Sequence, residues 1–201
     1  MQLRDALLQV EEIRLHLART ETFRGFRASP VALSAVLAVS AAAVQPFVIP
    51  HPMQAIAAYV MLWVGTAAIS LAAAGATMYV RSTQPNLGLL RETNRLAVEQ
   101  FLPCIAAGGL ATTALLGAAP GFAPLLPGLW SLFLSLGIFA CWRLLPKPIF
   151  VVAVYYLFSG ASVMLWGQGE QALAPWTMTV TFGIGQSLAA IVLYLTMERD
   201  P

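Results

Sequence analysis

Lysine and arginine are missing from the connections around His51, Pro120 and Glu170, and the long apolar stretches that these connections join carry almost no charge of either sign. Charged residues make up 10% of the chain and hydrophobic ones 59%. A soluble domain carries roughly 25% charged residues, so this chain cannot cover a folded surface with enough charge to keep it in water. Histidine is nearly absent: His16 and His51 fall on opposite sides of the apolar pattern. That excludes an HExxH helix, a Cys/His metal cluster, paired haem-ligating histidines and a Ser–His pair. Asp5 and Asp200 are terminal, so an intramembrane aspartyl protease has no candidate pair, and no GxxxxGK[ST] loop is present to cradle a phosphate. Cysteine is limited to Cys104 and Cys141, both within apolar segments near one face, which excludes an external disulfide framework and reads as small apolar packing. The expectation is a protein that is not an enzyme and holds no cofactor or metal. Its basic residues are too scattered for direct nucleic-acid binding.

What is present is ordered by sign. All eleven basic residues fall on one side of a six-segment hydrophobic pattern. Arg4, Arg14, Arg19, Arg24 and Arg27 precede the first segment, and Arg81, Arg91 and Arg95 lie between the second and third. Arg143 and Lys147 lie between the fourth and fifth, and Arg199 follows the sixth. Positively charged loops are retained in the cytoplasm. The pattern therefore predicts an all-α polytopic membrane protein with six transmembrane helices and both termini inside, in a bacterial inner (plasma) membrane. A hydrocarbon core of about 30 Å needs roughly 20 helical residues, and the expected spans are 30–49, 54–80, 97–118, 124–145, 149–166 and 176–197. Trp130, Trp166 and Trp176 at one interface and Trp142 and Tyr194 at the other suit aromatic belts.

Ahead of the spans, Leu3, Leu7, Val10, Ile13 and Leu17 recur at helical spacing, with Arg4, Asp5, Glu11, Glu12 and Arg19 on other faces. This predicts an N-terminal cytoplasmic amphipathic helix over 2–20 and a basic connector, so that 1–28 and 29–201 form two regions. Arginines followed by an apolar run and Ala41-Ala42-Ala43 also resemble a cleavable signal peptide. A leader holding four acids and its own amphipathic helix is unusual for one, and retention is expected.

Trp63, Thr66, Ser135, Tyr155, Tyr156, Ser159 and Gln186 fall nearest the bilayer centre, and none ionises at neutral pH. Proton-coupled carriers usually need a buried ionisable group, so that class is disfavoured. Gln186, Tyr155, Tyr156 and Trp63 are the candidate ligand contacts, or polar contacts between helices. For Gln186 the simpler reading is a bond to a neighbouring helix, because Thr181, Gly185 and Ala189 make a small-residue ridge that permits close approach. Gly108 with Thr112 and Gly109 with Thr113 make similar ridges in the third span. Arg95 and Glu99, four apart, suit an interfacial ion pair. With Arg143 they could instead form a cytoplasmic vestibule, although Arg143 also suits anchoring to lipid phosphates.

Further residues carry a resemblance. Leu125-Leu126-Pro127-Gly128-Leu129-Trp130, Leu136-Gly137-Ile138-Phe139-Ala140, Arg143-Leu144-Leu145-Pro146, Tyr156-Leu157 with Gly160, and Phe182-Gly183-Ile184-Gly185-Gln186, with Glu12-Ile13-Arg14 and Phe23 in the leader, resemble a family of small bacterial six-span inner-membrane proteins of unknown function. The matching residues are helix-packing patterns and bring no activity with them. Two functional readings follow from the chain. One is a non-enzymatic regulatory, signalling or assembly module that presents 1–20 and 81–95 to a cytoplasmic protein partner. The other is a transporter or channel for a small neutral or lipid-like solute, working as a homo-oligomer.

Overall fold

The computed structural model describes residues 28–82 and 88–198, with the backbone alone for 81–82, 88–94 and 198. The expected amphipathic helix over 2–20 and its connector lie outside the described residues. Six helices are long and apolar enough to cross a membrane, and no strand occurs among the described residues. The chain is an all-α, multi-pass membrane protein.

The helices are α1 (Ala28–Val48), α2 (Ile56–Ser82), α3 (Gly88–Ala118), α4 (Leu126–Cys141) and α5 (Ile149–Trp166). A composite sixth span, Pro175–Met197, follows. It opens with α6 (Pro175–Met178), widens into a π-helical segment over Thr179–Ile184, resumes as α7 (Gly185–Leu193) and widens again over Tyr194–Glu198. Two short 3-10 turns, Pro120–Leu125 and Gly169–Leu173, pack together across one end of the bundle, called here the capped end. Gly169 enters its turn at φ +58°, the left-handed region that glycine adopts without steric cost.

Two of these bounds depart from the sequence reading. The fourth helix ends at Cys141 rather than near residue 145. Leu144 N–H donates to Cys141 O at 2.9 Å and Leu145 N–H to Trp142 O at 3.3 Å, so the chain tightens there. The cause is Pro146, whose ring disfavours helical backbone at the residue before it. The third helix starts at Gly88, ahead of the expected span 97–118, so the stretch leading to Arg95 enters the span as helix.

α1 is flanked by α2 on one side and the sixth span on the other. α3, α4 and α5 pack in chain order, and α5 meets the sixth span to close the arc. Close packing follows small side chains. Ala28, Val31, Ala35, Ala38, Ala42 and Gln45 recur at steps of three and four residues and are all buried. They form a low ridge on α1 that lets its neighbours approach, the usual basis of helix association in lipid. On α4 and α5, a methyl group built on Gly128 would lie 2.8 Å from Gly160 O, and one built on Gly160 would lie 2.8 Å from Gly128 O. These two helices touch backbone to backbone.

Candidate functional site

Buried polar side chains concentrate in two places. The first lies under the capped end. Gln45 is 1% exposed at the last position of the α1 ridge. Its Nε2 donates to Leu173 O at 2.7 Å, and its Oε1 accepts from Trp63 Nε1 at 3.1 Å. One amide thus ties α1 to α2 and to the turn that caps the bundle. Trp63 sits in a seam, with the Tyr59 ring 6.4 Å away. Tyr59 is fully buried and its hydroxyl has no hydrogen-bond partner. Ala123, Leu126, Leu173 and Met178 pack around the same cluster.

The second place is the interior between α4, α5 and the sixth span. Ser131 Oγ donates to Tyr156 O at 2.9 Å and Ser135 Oγ to Ala153 O at 2.7 Å. Two hydroxyls one turn apart therefore clasp the α5 backbone. Tyr155 hydroxyl donates to Val180 O, a carbonyl of the first π-helical segment. Tyr156 is fully buried, with its ring 5.9 Å from that of Phe182 and its hydroxyl without a partner. Gly185 must be glycine here, since a methyl group built on it would lie 2.6 Å from Tyr156 Oη.

The four candidates singled out for their depth therefore divide. Tyr155 meets the sixth span at Val180 and Tyr156 meets it beside Gly185, whereas Trp63 belongs to the capped-end cluster. Gln186 is half-buried and makes no hydrogen bond among the described residues. The expected ridge of Thr181, Gly185 and Ala189 is buried along its length. Of the two ridges on α3, only Gly108–Thr112 is used. Thr112 accepts from Trp130 Nε1 at 2.8 Å. Gly109 has nothing within 4 Å of a built methyl group, and Thr113 is exposed.

At the opposite end Arg95 and Glu99 form an ion pair at 2.6 Å, with 78% and 53% of their side chains exposed. Arg143 is exposed and is not paired with Glu99. Nearby, Cys141 Sγ donates to Ala97 O at 3.4 Å, holding α4 to α3. Cys104 and Cys141 are both free thiols. Among the described residues no group of three or more His, Cys, Asp or Glu side chains could hold a metal ion.

Gln45 was missed by the sequence reading, yet its side chain bonds to two other elements, α2 and the turn Gly169–Leu173. A glutamine beside a proline at the end of a span resembles an ordinary interfacial residue. The signal that reveals it is the step pattern of the α1 ridge, which runs through Ala38 and Ala42 to position 45.

Comparison with family models, curated proteins and solved structures gave no match.

Proposed function

We propose that this chain is a non-enzymatic inner-membrane module for regulation, signalling or assembly. In this reading its termini and the 81–95 region face the bacterial cytoplasm, and residues 1–20 and 81–95 meet a protein partner there. The observation that carries the reading is how the polar side chains within the spans are used. The Gln45 amide, the Trp63 and Trp130 indoles, and the Ser131, Ser135 and Tyr155 hydroxyls all join one structural element to another. Groups that line a path for solute keep their hydrogen-bonding capacity for the solute, whereas groups that fix a scaffold spend it on neighbouring helices. Photo-crosslinkable residues at Leu7 and Leu17 of the full chain in cells should give discrete protein adducts that disappear with an Arg91→Glu/Arg95→Glu variant. Lipid adducts alone from both positions would overturn it.

Gln186 favours a second reading, a homo-oligomeric channel or carrier for a small neutral or lipid-like solute. A half-buried amide without a hydrogen-bond partner deep in a span is a candidate solute contact. In that case Gln186→Leu abolishes glycerol or fluorescent-lipid flux across proteoliposomes. Equal flux in the variant and the parent, or none in either, removes this reading.

A further inference from the structure

Among the described residues π-helical geometry occurs only at the sixth span, and it occurs there twice, over Thr179–Ile184 and Tyr194–Glu198. A π-helical turn bonds i to i+5 and so stores about one more residue than an α-helical turn does. Such a turn persists only where its surroundings hold it. Consecutive residues of α5 hold the first one. Tyr155 donates its hydroxyl to Val180 O inside the widened segment. The Tyr156 ring occupies the space beside Gly185, where a methyl group would lie 2.6 Å from Oη and 2.7 Å from Cε1. From α1, Val39 Cγ2 lies 3.2 Å from a methyl group built on Gly183.

The geometry points to a latched register switch: Tyr155 and Tyr156 hold Thr179–Ile184 in its widened form, and release of the latch lets the segment narrow to an α-helix and drive α7 forward by one residue. Narrowing returns the stored residue to the helix. Each residue of α7 then moves to the place its successor held, a rise of 1.5 Å and a turn of about 100°. Ile184 arrives where Gly185 stood, and its side chain cannot fit while the Tyr156 ring remains there. The ring must therefore withdraw for the slip to occur, which couples the two tyrosines in one event. The latched form also keeps an unfavourable feature that the released form can shed. Tyr156 hydroxyl is buried and unpartnered, and an unsatisfied buried donor is a cost that movement can remove.

The slip has a distinct signature on α7. Ile191 is 53% exposed, Val192 half-buried and Leu193 1% exposed. One step forward carries position 191 into the place of 192, and position 192 into the seam now held by Leu193. Single nitroxide labels at Ile191→Cys and Val192→Cys, in a full-length chain with Cys104→Ala and Cys141→Ala in liposomes, report lipid exposure through collision with oxygen. Tyr155→Phe should lower oxygen accessibility at 192 by about twofold or more, as a turn of 100° into a seam requires, and lower it at 191 as well. An unchanged profile in a monodisperse Tyr155→Phe protein overturns the proposal. Deletion of Val180 decides the matter independently. Removing the stored residue leaves α7 in its present place, so both labels keep their parental accessibility, with or without Tyr155→Phe. A deletion variant that fails to fold, or that carries the shifted profile, overturns the switch.

Discussion

The spans divide into a tight set and a loose set. In the most apolar stretches of the first, fourth, fifth and sixth spans, 33–39% of residues are buried, against 17% in the second and 6% in the third. Composition does not separate the sets, because α2 and α3 are as rich in glycine and alanine as their neighbours. Gly128, Gly137, Gly160 and Gly185 each lie within 3 Å of another side chain or backbone once a methyl group is built on them, whereas Gly65, Gly75, Gly109 and Gly117 meet nothing. In lipid there is no hydrophobic force between helices, so a small residue permits close approach without causing it. Two of the close glycine seams also carry a polar clasp between the same helices. Ser131 lies next to the Gly128–Gly160 contact, and Tyr155, the neighbour of the Tyr156 that fills the space at Gly185, bonds Val180 O; both bond across the seam. On α3 the face that reaches α4 carries the Trp130–Thr112 bond, and the face one residue round carries none.

That contrast can be broken most severely at Gly160. A methyl group there meets Gly128 O at 2.8 Å, Ser131 Cβ at 2.9 Å and Leu132 N at 3.2 Å, mostly backbone that cannot swing aside. Gly160→Val should cost about 3 kcal/mol or more of stability, seen as loss of monodisperse protein or a large fall in Tm in detergent. Gly109→Ala, made in open space, should leave Tm unchanged or raise it slightly. If the two behave alike, glycine contact does not set the division. Next in size is Gln45→Leu. It strands Leu173 O and Trp63 Nε1 in a buried seam, at a cost of roughly 2 kcal/mol or more measured by the same melting assay. Trp130→Phe removes one clasp but leaves Thr112 bonded to Gly108 O at 2.7 Å, so a cost of about 0.6 kcal/mol is expected. Smallest is Tyr59→Phe. The hydroxyl has no partner to lose, so the variant should match or slightly exceed the parent in Tm. A clear loss would mean that the hydroxyl is satisfied in the folded protein.

Much of this architecture was legible in the residues. Hydropathy and the placement of charge mark six spans, because a bilayer penalises exposed charge so strongly that the pattern is hard to hide. The ridge of Thr181, Gly185 and Ala189 was visible for the same reason that it packs: small residues at four-residue spacing share one helical face. Depth along a span was a poorer guide. It put Trp63 in one set with Tyr155 and Tyr156, yet Trp63 bonds to Gln45 on α1, and depth says nothing about which neighbour lies alongside. The fourth helix was overrun because an apolar count continues through Leu144 and Leu145, while Pro146 acts on the backbone one residue earlier. The widened turn at Thr179–Ile184 has no local signature. It is held by Tyr155, which lies 25 residues before the carbonyl it binds, so only the folded chain reveals it.

The bond from Gln45 to Leu173 joins residues 128 apart, and this separation bears on biogenesis. The first of the six spans carries an amide whose acceptor is synthesised only with the closing hairpin. Until then Gln45 has Trp63 of the second span as its one partner, and its Nε2 lacks the carbonyl that it bonds in the folded chain. The last hairpin to be made therefore completes the bonding of the first span.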